Sequence, residues 1–432
     1  MTIGPVRRGI RGLSRVRGTA ATKRAGILVF LAVMGPGVIT GLAGNDAGGV
    51  ATYTAAGADH GYALLWLLVL ASLGLVVVQE MSVRMAVVTG KGLSDLIRER
   101  FGVRWTVLAM LALFIANGSN VIAEYAGIGA SLGLLGVPLL VSVPVAAVLI
   151  WGLIVLLDYR TVERALLVMV LAFIAYPVTA ILIGPDWSEV ARAIASPNLP
   201  AETGATLTAV ALVGTTITPY MLFYVQASIV DKGLDLSSYP YVRLDTWVGA
   251  ALGALFAFFI LIVAAAVLHP AGVAADGAED AARALAPLAG PAAGLLFGVG
   301  LFGASLLGAV VMPLSTSYAI CEAFGWESGI SKRFSEAPIF MGLVTFLLAA
   351  GALAVVFVPQ ESLLTLIVVS QAVNGLLLPV ILVFILRLAA DRGIMGDAAS
   401  GPLSRIAGWA IAGLVSVLSV AYIAATALGI GI

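Results

Sequence analysis

Eleven long apolar runs limit what this chain can fold into more than any other feature of its sequence. They lie near residues 27–56, 62–89, 105–133, 137–157, 163–184, 205–230, 244–268, 289–323, 337–358, 361–389 and 405–430. Each is long enough to cross about 30 Å of hydrocarbon as a helix. Only 11% of the residues are charged, whereas soluble domains average about 25%. We therefore predict an all-α polytopic membrane protein with eleven transmembrane helices, called spans 1 to 11.

The positive charges predict how the spans are oriented. If the N-terminus is in the cytoplasm, all but two of the 23 Lys and Arg residues fall in inner segments, the exceptions being Arg192 and Arg283. Basic residues favour the cytoplasmic side of a membrane. We therefore expect a multi-pass protein of the inner cell membrane, with a cytoplasmic N-terminus and the C-terminus outside.

Span 1 carries polar residues and glycines where an ordinary membrane helix is apolar. The stretch 35–52 contains six glycines together with Asn45 and Asp46, and a run of apolar or small residues places Asp46 at mid-membrane depth. A carboxylate at that depth is expensive to bury and indicates a functional site. The glycines predict a discontinuous helix whose freed backbone groups line a cavity. The alternative is tight helix packing by small residues, with Asp46 at a helix end in water.

Span 6 has a corresponding interruption at Pro219, which removes a hydrogen bond of the helix and leaves the carbonyls near Thr215 and Ile217 without partners. Two breaks separated by five helices predict inverted repeats of five helices, with substrate held near the midplane between spans 1 and 6. The predicted units are a basic cytoplasmic tail over 1–24, repeats over 25–184 and 205–389, and a peripheral span 11 in 404–432.

Further polar side chains at membrane depth leave two interpretations open. Glu124 follows Asn117 and Asn120 on span 3, and Gln371 and Asn374 lie three residues apart on span 10. These side chains either line an ion or proton route or hydrogen-bond neighbouring helices.

The residue types also exclude several classes of protein. One cysteine excludes an intramolecular disulfide, and two histidines exclude a His-rich zinc or copper site. The chain lacks an HExxH motif and a nucleophile elbow. We therefore expect no enzymatic activity, no cofactor and no nucleic-acid partner, and we expect a monomer in contact with membrane lipid.

The chain resembles the Nramp family of divalent-metal transporters, which has the LeuT-type fold and an Asp-Pro-Gly-Asn motif in its broken first helix. Besides the break in span 6, the resemblance is carried by Asp46-Ala47-Gly48-Gly49, Val78-Gln79-Glu80-Met81, Gly90-Lys91-Gly92-Leu93, Ala123-Glu124 and Ser370-Gln371. It covers most of the chain. It implies a LeuT-type fold and a divalent metal ion as the transported substrate.

The chain departs from the family pattern where the family binds metal and moves protons. The family's Asn falls on Gly49 and its Pro on Ala47, and its Met-Pro-His motif falls on Thr218-Pro219-Tyr220. A second family histidine falls near Val225 and an aspartate on Val121, and the arginines of helix 9 are missing because 341–358 contains no charge. This pattern is similar to that of the Nramp-related magnesium transporters.

The resemblance and the preference of Mg²⁺ for hard oxygen ligands together imply an oxygen-lined metal site. Its expected members are Asp46, Gly49, Thr215 and Thr218, with Gln371 or Asn374 acting through water. Glu124 and Tyr220 are candidates for a proton or ion route.

We therefore expect a transporter that imports Mg²⁺ and Mn²⁺ as partly hydrated ions by alternating access, without coupling to protons. One alternative is a proton-coupled Mn²⁺/Fe²⁺ transporter with a rearranged site, because Met221 lies three residues after Thr218 on roughly the same helix face. The other is an amino-acid symporter, which Asp46 disfavours because it would repel a substrate carboxylate.

Overall fold

The computed structural model describes residues 34–200, 203–273, 290–357 and 360–427, and the regular structure in these ranges is helical. The helices are α1 (Pro36–Ala43), α2 (Ala47–His60), α3 (Leu65–Thr89), α4 (Leu93–Phe101), α5 (Val103–Gly133), α6 (Leu139–Leu156), α7 (Tyr159–Met169), α8 (Ala175–Ile183), α9 (Trp187–Ala195), α10 (Thr203–Thr216), α11 (Pro219–Asp231), α12 (Tyr239–Val267), α13 (Pro291–Phe324), α14 (Pro338–Phe357), α15 (Gln360–Ala390), α16 (Arg392–Met395) and α17 (Pro402–Ala427).

The predicted number of spans is confirmed. Within the described ranges, ten helical segments are long and apolar enough to cross a membrane, and α1 and α2 together form the interrupted span 1. Span 6 consists of α10 and α11, and span 5 consists of α7 and α8 joined by a short 3₁₀ turn. Spans 2, 3 and 4 are α3, α5 and α6, spans 7 to 10 are α12 to α15, and span 11 is α17. The predicted tail 1–24, Arg283 and the ends of the chain at 25–33 and 428–432 lie outside the described residues.

The interrupted spans lie at the centre of the bundle. Of the most apolar stretch of span 6, 83% is buried inside the protein, whereas the corresponding share is 28% for spans 4 and 11. Every residue of α1 is buried as well. Spans 4 and 11 therefore lie at the outside of the bundle.

Close backbone contact fixes α1 against α12. A Cβ added to Gly249 would overlap the carbonyl oxygen of Gly37, and one added to Gly41 would overlap the backbone of Gly249. Small residues allow membrane helices to approach this closely. Near the start of span 1, the glycines therefore serve tight helix packing. This is the alternative that the sequence left open for the whole stretch 35–52.

A buried carboxylate on α12 satisfies the beginning of α1. Asp245 is 1% exposed and accepts hydrogen bonds from the backbone N–H groups of Gly35 (3.2 Å), Gly37 (2.6 Å) and Val38 (3.3 Å). The first N–H groups of a helix have no partner within the helix, and a negative charge there is favourable. The sequence analysis assigned no role to Asp245.

The substitution Gly249→Ala should destabilise the protein, because the new Cβ meets backbone atoms that cannot move without separating α1 from α12. We expect a loss of about 1–3 kcal/mol, the usual cost of overpacking. The measurement is the thermal unfolding midpoint of the purified protein in detergent. Gly342→Ala is the matched control, since no atom lies within 4 Å of its added Cβ. Equal midpoints for the two variants would contradict the proposed role of this contact.

Candidate metal site

Span 1 is interrupted at Gly44 and Asn45, between the end of α1 and the start of α2. Asp46 is the N-cap of α2, where its Oδ1 accepts a hydrogen bond of 2.6 Å from the backbone N–H of Gly49. The side chain of Asp46 is 1% exposed. The predicted break is thus present, and Asp46 lies inside the protein rather than at a helix end in water.

Span 6 is interrupted between Thr216, the last residue of α10, and Pro219, the first residue of α11. The hydroxyl of Thr218 donates a hydrogen bond of 2.8 Å to the carbonyl oxygen of Thr215. A carbonyl oxygen has a second lone pair, so this oxygen can still face a cation. The same oxygen lies close to the other break, at 2.9 Å from the position of a Cβ on Gly44.

Two tyrosines join the breaks. The hydroxyl of Tyr220 on α11 lies 2.6 Å from the carbonyl oxygen of Ala43 and 3.0 Å from Oδ2 of Asp46, so its single hydrogen is shared between these two acceptors. The hydroxyl of Tyr53 lies 3.0 Å from that of Thr216. Sequence reasoning missed Tyr53, which is an aromatic residue among small ones and is 1% exposed.

A second buried carboxylate reaches the same helix end. Glu124 on α5 is fully buried, and its Oε2 accepts a hydrogen bond of 3.1 Å from the backbone N–H of Ala47. Its Oε1 has no hydrogen-bond partner among the described residues. Asp46 and Glu124 therefore both place carboxyl oxygens at the start of α2, where the backbone N–H groups need acceptors. This contact is a hydrogen bond to a neighbouring helix, which is one of the two interpretations of Glu124, and it also brings the carboxyl group beside the first break.

Two amides of span 10 extend the site. A Cβ on Gly48 would overlap Nε2 of Gln371 and lie 3.4 Å from Oδ1 of Asp46, so the Gln371 amide borders the carboxylate. Asn374 donates a hydrogen bond of 3.4 Å to Oε1 of Gln371 and so joins the site through that residue. A half-turn of the Gln371 amide would present its oxygen to the Asp46 side, since the two ends of an amide have similar shapes.

Several buried polar atoms around the breaks are unsatisfied within the described part of the chain. They are Oδ1 of Asn45, Oε1 of Glu124, Oγ1 of Thr215 and Nε2 of Gln371. A buried polar atom without a partner costs about 1–3 kcal/mol. Three of the four are oxygens, which are the ligands of hard divalent cations. No group of three or more His, Cys, Asp and Glu side chains suited to a metal ion occurs in the described ranges.

One sulfur atom lies beside the first break. The Sδ of Met221 is 3.2 Å from the position of a Cβ on Gly44, and the Met221 side chain is fully buried. Thioether sulfur is a soft ligand. The alternative site that uses Met221 therefore has a structural basis. Gly49, an expected member of the metal site, contributes an N–H group that donates to Asp46.

Comparisons with known proteins show similarity over nearly the whole chain. The family model described as Nramp, natural resistance-associated macrophage protein-like, matches residues 37–425. The divalent metal cation transporter MntH of Ralstonia nicotianae is 32% identical over 421 residues, covering 90% of this chain and 89% of the relative.

Solved structures share the fold. The manganese transporter of Eremococcus coleocola superimposes with a TM-score of 0.77 at 21% identity, covering 95% of this chain and 90% of that one. Mhp1, a nucleobase-cation-symport-1 family transporter, superimposes with a TM-score of 0.54 at 15% identity, covering 91% and 93%. The predicted LeuT-type fold is thereby confirmed.

The substitution Tyr220→Phe should lower the stability of the metal-free protein, because it leaves the Ala43 carbonyl and Oδ2 of Asp46 without this donor. We expect a cost of about 1–3 kcal/mol, read as a lower thermal unfolding midpoint in the presence of a chelator. Tyr176→Phe is the control, since the Tyr176 hydroxyl has no partner among the described residues. An unchanged midpoint for Tyr220→Phe would show that its hydroxyl does not hold the breaks together.

Proposed function

The chain belongs to the Nramp family, and on this premise we propose that it transports a divalent metal cation across the membrane by alternating access. Membership places it among transporters rather than enzymes. The observation that carries the proposal is the buried carboxylate of Asp46 at the meeting of two interrupted helices. In transporters with inverted repeats, substrate and ion sites lie at such breaks.

We propose Mn²⁺ and Mg²⁺ as the transported ions. Oxygen atoms dominate the site, and Mg²⁺ and Mn²⁺ both accept carboxylate, carbonyl and water oxygens. Mg²⁺ keeps several waters when it binds, which suits a site with one carboxylate at its centre and hydroxyl, carbonyl and amide groups around it. The relative's name, divalent metal cation transporter, is consistent with either ion.

We further propose that transport is not coupled to protons. The family histidine of span 6 is replaced by Tyr220, and Val121 stands where the family has an aspartate. Within the described structure, Glu124 is then the carboxyl group besides Asp46 that contacts the start of α2. The membrane potential can drive uptake alone, since it supplies about 2.3 kcal/mol per charge at 100 mV and roughly twice that for a divalent ion.

The orientation is part of the proposal. The distribution of Lys and Arg places the N-terminus in the cytoplasm in this proposal. An inside-negative potential then pulls cations towards that side of the membrane. We propose a single chain as the transporting unit, because both breaks and the side chains around them belong to one chain.

An amino-acid cargo fits the site poorly. A substrate carboxylate would need free N–H groups at a helix start. At α2, the N–H groups of Ala47 and Gly49 already donate to Glu124 and Asp46. At α11, the first residue is Pro219, which has no N–H group.

The Met221 sulfur supports a second candidate function, proton-coupled transport of Mn²⁺ or Fe²⁺. Its position beside Gly44 would allow it to replace the missing family methionine, and a thioether favours these ions over Mg²⁺. The two candidates differ in the atom that binds the ion and in the movement of protons, so they are separable by experiment.

Purified protein in liposomes with an inside-negative potential should take up Mn²⁺ and Mg²⁺, read with metal-sensitive dyes. Asp46→Ala should abolish uptake, and Asp46→Asn should as well, because it retains an acceptor for the Gly49 N–H but loses the charge. Asp397→Asn, at an exposed position, is the control and should transport like the wild type. Wild-type rates with Asp46→Asn would refute the site.

A pH dye in the same liposomes reports on coupling. We expect metal entry without internal acidification. Acidification in step with Mn²⁺, together with no Mg²⁺ signal, would overturn the uncoupled magnesium transport and favour the second candidate.

Met221→Leu tests which atom selects the ion, since this swap roughly conserves volume. We expect Mg²⁺ uptake close to that of the wild type, because oxygens hold Mg²⁺. Competition by Cd²⁺ should weaken, because Cd²⁺ is a soft ion that gains from a nearby sulfur. The measurement is initial Mg²⁺ and Mn²⁺ uptake with increasing Cd²⁺. A loss of Mn²⁺ uptake in this variant would instead support the second candidate.

A further inference from the structure

An apolar cavity that the candidate metal site does not use lies between α5, α15 and the start of α11. Its volume is about 190 Å³, and its lining is almost entirely apolar. Trp105 and Phe384 line one end, Ala112 and Leu377 lie two turns further along their helices, and Pro219 also lines the cavity. Two turns of helix span roughly 10 Å, so the cavity follows the helices from one end of α5 towards the break in span 6.

Two arginines stand at the end of this cavity where α5 begins. Arg104 precedes the lining residue Leu108 by four positions, and Arg387 follows Phe384 by three, so each shares a helix face with the lining. Both are exposed. Neither makes a hydrogen bond or an ion pair with its side chain within the described residues, whereas the nearby Arg100 pairs with Asp391 at 2.9 Å.

The surroundings of this end are those of a membrane interface. Trp105 is the third residue of α5, next to Arg104, and is 54% exposed. Tryptophan is enriched where hydrocarbon meets headgroups. Basic residues at this level attract anionic lipid. Towards this end of α5, the protein therefore presents an apolar cavity, then an aromatic ring, then two unpaired positive charges. An acyl chain, the interfacial region and the phosphate of a phospholipid follow one another in the same order.

We propose that this cavity and the pair Arg104 and Arg387 bind one anionic glycerophospholipid from the adjoining leaflet. The phosphate lies between the two guanidinium groups, and a segment of one acyl chain occupies the cavity and reaches Pro219. The volume suits part of a single chain rather than a headgroup. A soluble anion would leave the apolar cavity unfilled, and a zwitterionic lipid would bring no net charge to the arginines.

The lipid would contact the hinge of span 6. Pro219 is the first residue of α11 and directly follows Thr218. A ligand that binds one conformation better than another shifts the population towards it. The bound chain thus favours the arrangement of α11 described above and makes the transport rate depend on anionic lipid. This last step rests on the proposed transport function, whereas the binding of the lipid does not.

Native mass spectrometry of the purified full chain tests binding without any transport. The probes are phosphatidylglycerol and phosphatidylcholine with the same acyl chains. The double variant Arg104→Gln/Arg387→Gln should bind phosphatidylglycerol roughly thirtyfold more weakly, from about fivefold per removed charge. Arg392→Gln/Arg405→Gln, which removes two other exposed arginines, is the matched control and should bind like the wild type. Equal losses in both double variants would overturn the site.

Filling the cavity tests the position of the acyl chain. Ala112→Phe should weaken binding of phosphatidylglycerol while leaving both arginines in place. Val380→Trp, at a lining position that is 45% exposed, provides a second variant with less risk to folding. Unchanged binding in a folded cavity-filling variant would show that the chain lies elsewhere. Unchanged metal uptake despite lost lipid would overturn only the effect on the hinge.

Discussion

The carboxylate of Asp46 is the group on which the centre of this protein depends. Inside a membrane, every backbone group freed by a broken helix needs a partner from the protein, because lipid supplies none. One oxygen of Asp46 accepts from Gly49 at the start of α2, and the other accepts from Tyr220 across the second break. The same charge that satisfies these donors is the charge that a cation needs. Structure and proposed transport therefore depend on one side chain.

Span 7 supports this centre from outside the site. Its helix α12 holds α1 through glycine backbones in contact and through three hydrogen bonds to Asp245. A further tie joins the break itself, since Asn45 donates a hydrogen bond of 2.9 Å to the carbonyl oxygen of Gly253. Any movement of α1 therefore either carries α12 with it or breaks these contacts, as expected for helices that move as one bundle.

The choice of ion depends on how far the chain departs from its family. In the proposed site, Thr218 and Tyr220 stand where the family pattern has Met and His, and the loss of the thioether favours hard ions. Met221 returns a sulfur to the neighbourhood of Gly44. Oxygen and sulfur thus border one break, and their relative contributions to binding separate a magnesium transporter from a manganese and iron transporter of the same fold.

The sequence by itself determined the spans and both breaks. An apolar run in hydrocarbon ordinarily forms a helix, because a helix satisfies its own backbone hydrogen bonds. A buried aspartate or a proline interrupts such a helix locally. The tertiary structure alone decided which groups meet. Tyr220 reaches Asp46, Glu124 reaches Ala47, and Asp245 reaches a helix more than 200 positions earlier in the chain. Residue spacing defines neighbours on one helix, but the rotation and depth of one helix against another follow from packing of the whole bundle.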